Sequence, residues 1–405
     1  MDKLSINSEI GKLKKILLHR PGFELDRITP DDLKEVLFDD IPWMSRMRKE
    51  HDGFAKVLKE TGTEVLYVTD CLLEVINNNA EAKKELVELA LEEVQYDSIT
   101  INGLREFLLS LDNKELIRCI IAGLSESEVK SSRVTLSDYM QDKYPYYFKP
   151  IPNLYFMRDV GVVIKNGVAL SRMKTPIRRR ESLIVRLIYK YHPDFSGVPV
   201  YFDNKQEKMS LEGGDVLILS KECVLIGFSE RTSLEGIDKL ASNLLNSNSG
   251  VKKVLAVKIP HERAFMHLDT VFTMVDCDKF VIFPNILNDI EVITITSGGK
   301  SSLRYEAEEN LKTALAKALN LPSVKLIKSG GSSSVISARE QWNDSTNTLA
   351  ISPGVVITYN RNEISNEILD RNGIKVLSIE GSELVRGRGG PRCMSMPLVR
   401  EDIDF

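Results

Sequence analysis

Cys393 ends the run Gly387-Arg388-Gly389-Gly390-Pro391-Arg392-Cys393. The glycines free the backbone to approach a ligand, and the two arginines favour an anion or a thiolate. An isolated cysteine is more often an inert small hydrophobe, but the glycine loop argues here for an accessible thiol. His267 and Asp269 stand two apart, so on a strand they share a face and can act as a base, a metal ligand or a buried structural pair. Further acids recur at nearly equal intervals: Asp159 after Phe156-Met157-Arg158, Glu212 and Asp215 in Glu212-Gly213-Gly214-Asp215, then Asp269. Gathered carboxylates repel one another and resist desolvation, so a site built from them calls for a cationic ligand or a metal. With only five histidines and no H-E-x-x-H, a histidine-rich metal site is disfavoured, and no metal or cofactor is expected.

The elements that must position these residues follow one repeating pattern: a β-hairpin, an amphipathic helix, then a strand. The first unit has a hairpin at 161–164 and 168–170, a helix at 181–191 and a strand at 198–202. The second runs through 216–219, 224–227, a helix at 233–245 and a strand at 254–259. The third takes 271–275, 280–283, a helix around 303–319 and a strand at 324–327. The fourth takes 348–351, 355–358, a helix near 363–370 and a strand at 375–379. A fifth unit is split: strand 13–19, helix 44–60 and strand 64–68 need a hairpin partner, and 394–399 can supply it by joining the chain ends. The acids lie just ahead of successive hairpins, and equivalent points of a pseudo-symmetric ring converge on its axis. The expected fold is therefore α/β, a five-bladed pseudo-symmetric α/β propeller of ββαβ-type units with no exposed sheet edge.

Between about Cys71 and Tyr147 helical spacing takes over, with Val87, Leu91 and Val94 on one face and Ile117, Ile120 and Ile121 on another. Gly123, Ser125 and Glu128 read as a helix stop followed by a new cap. The division is 1–70 and 148–405 for the catalytic α/β propeller and 71–147 for an inserted helical domain, whose role is packing or oligomer contact.

The chain has 405 residues, 42% hydrophobic and 28% charged, enough for a full core, and its formal charge of −4 offers no net attraction to nucleic acid or anionic membrane. A local patch such as Arg178-Arg179-Arg180 can still bind an anion. No basic-then-apolar leader and no long apolar run occur, and the five cysteines are scattered without a C-x-x-C pair, so a soluble chain in a reducing cytoplasm is expected.

These residues carry a resemblance. Leu18-His19-Arg20-Pro21-Gly22, Leu37-Phe38-Asp39-Asp40-Ile41-Pro42-Trp43, Pro152-Asn153-Leu154-Tyr155-Phe156-Met157-Arg158-Asp159, Leu211-Glu212-Gly213-Gly214-Asp215, His267-Leu268-Asp269-Thr270-Val271-Phe272, Glu340-Gln341-Trp342 and the Cys393 segment stand in the order and spacing of the arginine deiminases. The resemblance covers essentially the whole chain and implies the five-bladed fold of guanidino-group-modifying enzymes. It implies hydrolysis of L-arginine to L-citrulline and ammonia, with Cys393 as nucleophile, His267 as general acid/base, Glu212 against the histidine, Asp159 and Asp269 on the guanidinium, and Asp215 as a neighbouring site residue. Arg178, Arg231, Arg388, Asn153 and the Leu37 backbone match contacts to the amino-acid end of the substrate, and Phe156 flanks the guanidinium. Without the resemblance Arg178 and Arg231 read as helix-start surface charges, and Phe156 as a core aromatic. Met157 departs from the small polar residue common at this point of the family, which leaves the local packing open. A homo-oligomer, dimer or tetramer, is expected.

The implied chemistry is physically coherent. A carboxylate at ~4 Å from a guanidinium, at an effective dielectric of ~20, contributes on the order of 4 kcal/mol before desolvation, and a neutral ureido product loses most of it. The same acids should raise the thiol pKa of Cys393, so substrate binding makes the thiolate. Alternatives are another guanidino enzyme (agmatine deiminase, dimethylarginine hydrolase or an amidinotransferase), a non-catalytic arginine-binding protein, and a carboxylate metal site.

Overall fold

The computed structural model describes residues 3–129, 146–299 and 302–403. Five of its sheets share one plan, an antiparallel pair extended by a parallel strand. Gly161–Ile164 and Gly167–Leu170 pair antiparallel and Val200–Phe202 adds in parallel. Val216–Ser220, Cys223–Phe228 and Lys253–Lys258 repeat this, as do Phe272–Met274, Lys279–Ile282 and Lys325–Lys328, and then Leu349–Ser352, Val355–Tyr359 and Lys375–Ile379. The fifth sheet joins the two ends of the chain: Leu13–Leu18 pairs antiparallel with Met396–Arg400 and parallel with Glu64–Tyr67. The C-terminal partner expected for the split unit is thus in place.

The crossovers are the amphipathic helices Met44–Glu60, Arg179–Tyr191, Leu234–Leu245, Leu311–Leu319 and Glu363–Arg371. Each turns an apolar stripe inward, as Ile184, Val185, Leu187 and Ile188 do on the second of them. Strands with residues buried on both faces, such as Gly161–Ile164 and Gly167–Leu170, lie between such helices and the centre of the molecule.

One expectation fails. The helix around 303–319 is helical only over Leu311–Leu319; Glu291–Gly299 and Ser302–Ala307 instead form a long hairpin that adds onto Lys253–Lys258 and widens the second unit's sheet to five strands. Val292, Ile293 and Ile295 pack against the core from its inner strand, while Leu303, Tyr305 and Ala307 alternate with Ser302, Arg304 and Glu306 at strand period. Asn310, whose side chain accepts from the Thr313 backbone N–H, marks where the helix begins.

Four helices, Val68–Asn78, Ala80–Leu91, Ser98–Ser110 and Asn113–Ala122, follow the fifth unit's parallel strand. Asn79, Asp97 and Asp112 each accept two backbone N–H groups in the first turns of the last three, which satisfies donors that a helix start leaves orphaned. Gly123 ends the last helix at φ 79, and Ser125 with Glu128 forms a capping box. Residues 130–145 of the expected helical segment lie outside those described. No helix among the described residues is long and apolar enough to cross a membrane.

Candidate active site

The turns that enter the hairpins carry the reactive side chains. Asp159 precedes Gly161–Ile164, Asp215 closes the short 3-10 turn Gly213–Asp215, Asp269 lies in the turn Leu268–Thr270, and Cys393 stands just ahead of Met396–Arg400. Backbone bonds tie these turns together: Gly213 N–H donates to the Asp159 carbonyl and Arg158 N–H to the Cys393 carbonyl. His267 is the extended residue that caps the Leu268–Thr270 turn, so His267 and Asp269 are not presented by a strand as their spacing suggested.

Cys393 is 2% exposed, and the expectation of an accessible thiol is overturned. The glycines before it serve packing: a side chain at Gly389 would collide with the Phe156 ring, which lies against Tyr155 at 3.9 Å between centroids. The thiol sulfur sits 3.5 Å from Asp269 Oδ2 and 3.7 Å from Oδ1. Burial, then Asp269, Asp159 and Asp344, hold its pKa well above the ordinary thiol range, and Arg392 only partly offsets them. Arg392 is committed elsewhere: it donates to Asp269 Oδ2 at 2.7 Å and to the buried Glu9 at 3.2 Å. Glu9, surrounded by Arg392, Arg158 and Arg400, has its pKa brought down to about 2 against the effect of burial.

His267 Nε2 donates to Glu212 Oε2 at 2.8 Å, which leaves Nδ1 facing Asp159 Oδ1 at 3.8 Å. Burial alone would lower the imidazole pKa; Asp159, the Glu212 hydrogen bond and Asp215 override it and raise it to about 9. Glu212 falls correspondingly to about 2, its burial overcome by the His267 hydrogen bond, and its second oxygen accepts from Lys174 N–H at 2.8 Å. Glycine is required at position 214 because a Cβ there would come within 2.7 Å of the His267 ring.

Asp159 Oδ2 accepts from Arg178 Nη1 at 2.7 Å, while Oδ1 has no hydrogen-bond partner among the described residues. That is a buried acceptor beside the thiol and the imidazole, which is what a guanidinium would need. Asp215 differs. Its oxygens take the Ser229 and Thr232 hydroxyls at 2.7 Å each and the Leu268 N–H at 2.8 Å, so it holds the turn next to His267 and offers no free oxygen.

The other expected substrate contacts fall into two groups. Arg178 and Asn153 are engaged within the protein, Arg178 with Asp159 and Glu181, and Asn153 with the Val36 carbonyl at 2.6 Å. That bond anchors Leu37, held at φ 66. Arg231 and Arg388 are both buried and each keeps a guanidinium nitrogen without a partner among the described residues. The Arg388 guanidinium carbon stands over Trp342, 3.5 Å from the ring centroid, with Nη1 3.7 Å from Asp39. The surface-charge reading of Arg178 and Arg231 is thereby excluded, as is the basic patch: Arg178 binds acids in the site, and Arg180 is buried against Glu93. Met157 is fully buried within an apolar cluster.

One residue escaped the sequence reading. Asn347 donates from Nδ2 to the Cys393 sulfur at 3.0 Å and to the Asp269 carbonyl at 3.1 Å, and its Oδ1 accepts from the Cys393 N–H at 2.9 Å. It stands just ahead of Leu349–Ser352, the place that Asp159, Asp215 and Asp269 hold in their own units. Position within the repeat could have found it; a search for acids could not.

Solved structures share this arrangement of elements. SxtG, an amidinotransferase from Microseira wollei, superposes with a TM-score of 0.60 at 13% identity, covering 99% of this chain and 98% of its own. AgrE, solved with L-arginine, gives 0.56 at 16%, covering 96% of this chain, which spans only 41% of the longer AgrE chain. At such identity the likeness is one of fold, and it defines a mixed α/β fold of the kind this amidinotransferase and AgrE have. Closer relatives narrow the class. The arginine deiminases of Bacillus cytotoxicus and Listeria monocytogenes are 48% and 46% identical over 408 and 405 residues, covering 99% of this chain and 99% and 98% of theirs. A family model described as arginine deiminase matches residues 34–400. The chain belongs to the arginine deiminase family.

Proposed function

We propose that this chain hydrolyses L-arginine to L-citrulline and ammonia through a thiouronium on Cys393. The observation that carries the reading is the buried meeting of the Cys393 thiol, Asp269, Asp159 with its unpartnered Oδ1, and the His267–Glu212 pair. In this reading Asp159 and Asp269 hold the guanidinium plane by charge-assisted hydrogen bonds, and Phe156 lies against it. Arg231 and Arg388 serve the α-carboxylate, and Arg178, held by Asp159 and Glu181, orients Asp159 before it orients substrate.

The arriving cation lowers the pKa of a thiol that burial and neighbouring acids have raised, and the thiol proton passes to solvent. The thiolate attacks the guanidinium carbon to form a tetrahedral adduct. His267, protonated below about 9, gives its Nδ1 proton to the leaving nitrogen, and the C–N bond breaks to release ammonia. The neutral imidazole then takes one proton from water, whose oxygen attacks the thiouronium carbon; collapse breaks the C–S bond, and the remaining hydroxyl proton goes to the departing sulfur, which restores the thiol and leaves the ureido group of citrulline. Glu212 fixes the ring so that one nitrogen serves both half-reactions.

We further read the five sheets as blades of a closed pseudo-fivefold propeller formed by 1–70 and 148–405, with 71–147 as an inserted helical domain. The pairing of Leu13–Leu18 with Met396–Arg400 across the chain ends supports closure. The reading extends to a cytoplasmic homo-oligomer. The deciding experiment measures citrulline formed from L-arginine by the intact protein and by Cys393→Ala. Turnover by the intact protein that survives the substitution would sink the mechanism, and arginine binding without ammonia release would favour a binding protein.

A further inference from the structure

Asp344 is 3% exposed, and neither of its carboxylate oxygens has a hydrogen-bond partner among the described residues. Its backbone is held at φ 59, a left-handed conformation that a non-glycine residue keeps where its surroundings impose it. Leu37 and Arg388, at φ 66 and 64, share this conformation. The segment that carries Asp344 is pinned at both ends by the site. Trp342 stacks under the Arg388 guanidinium, Asn347 bonds the Cys393 sulfur, and the Asp344 carbonyl accepts the Asn347 N–H at 3.0 Å. Asp344 is thus carried between a residue that touches Arg388 and one that touches the thiol, and its charge acts on both groups.

The charges around it are unmatched in a particular way. Burial raises the Asp344 carboxyl to about 7, with Arg388 and Arg361 drawing it down and Asp269 and Asp39 pushing it up. Arg388 Nε and Nη1 also lack hydrogen-bond partners. The neighbouring acids are spoken for: Asp39 binds Arg263 at 2.6 Å, and Asp269 binds Arg392 and faces the thiol. A buried cation and a buried anion that both keep hydrogen-bonding atoms unused among the described residues, at one end of the site, are complementary to a zwitterion. Asp159 Oδ1 at the other end remains for a second cation.

We propose that Asp344 receives the α-ammonium group of the substrate while Arg388 takes its α-carboxylate, which makes Asp344 a specificity residue for a free α-amino acid. The inference rests on the reading of L-arginine as substrate and adds a contact to it. The ammonium, once bound, keeps Asp344 ionised where burial alone favours the neutral acid.

The test compares L-arginine with desamino-arginine (δ-guanidinovalerate) on the intact protein, Asp344→Asn and Asp344→Glu. A buried charge-assisted contact predicts a loss of about 10- to 100-fold in kcat/KM for L-arginine in Asp344→Asn, carried mainly by KM, with the desamino substrate changed by less than about 3-fold. The intact protein should prefer L-arginine by a similar factor, and Asp344→Glu should recover part of that preference. Equal fractional loss on both substrates, in whichever variant folds, overturns the proposal, as does an intact protein indifferent to the α-amino group. An intact protein that forms no citrulline from L-arginine refutes the underlying reading instead.

Discussion

Arg178 and Arg180 sit two residues apart where one helix begins, and they serve opposite kinds of region. Arg178 turns into the active centre, where it binds Asp159 and Glu181, both buried. Arg180, itself fully buried, turns towards the helical segment, where it binds Glu93, the Ile120 carbonyl and the Lys149 carbonyl. In the helical region charge is used to close backbone bonds and lies largely at the surface, as with Asp97, Asp112 and the pair Arg105–Glu88. In the centre charges from distant parts of the chain are buried together, and several polar atoms stay unpaired. Satisfied polar groups hold the helical region together, whereas the unsatisfied buried ones in the centre leave hydrogen-bonding capacity for a ligand.

If that contrast is right, the largest effect of all comes from the centre. Cys393→Ala should cut citrulline formation by at least about 10⁴-fold, because the sulfur is the proposed nucleophile. Glu212→Gln comes next, with a loss of about 100-fold in kcat/KM. Its pH profile is the sharper readout. The folded protein holds the His267 proton up to about 9, so the stability and general-acid capacity that protonation brings are present below the ordinary imidazole range and lost as pH rises through about 9. Removing the Glu212 charge should move that alkaline limb downward; a limb left unmoved would assign it to another group.

Across the boundary the order of effects should reverse. Arg180→Ala should lower unfolding free energy by about 2 kcal/mol, since Ile120 and Lys149 carbonyls and Glu93 lose a shared donor, and change kcat and KM by less than about 3-fold. Asp112→Ala should cost about 1 kcal/mol through the lost helix cap, measured by denaturant titration, and leave kinetics alone. A cap variant that altered KM for arginine would break the separation between the two regions.

How legible each region is follows the same line. Hairpins and helix starts could be read from the sequence because their causes lie within a few residues, as Gly123, Ser125 and Glu128 show. The segment 303–319 misled because Leu303 and Tyr305 suit a helix or a strand until Glu291–Gly299 is seen beside them. Asn347 is marked in the sequence only by its place in the repeat, because the contact its amide makes with Cys393 crosses 46 residues of chain. The thiol looked accessible for a related reason: glycines that could admit a ligand instead admit the Phe156 ring.

The sequence by itself determined the repeating units, the capped helices and the roster of acids, cysteine and histidine, since periodicity and side-chain chemistry are local properties. Only the tertiary structure decided which oxygens of those acids are used up by protein donors and which stay open. Asp215 and Asp159 look alike in sequence, but hydroxyls from a neighbouring turn fill the first and leave one oxygen of the second bare. Hydrogen-bond capacity is spent in three dimensions, among groups that chain order does not bring together.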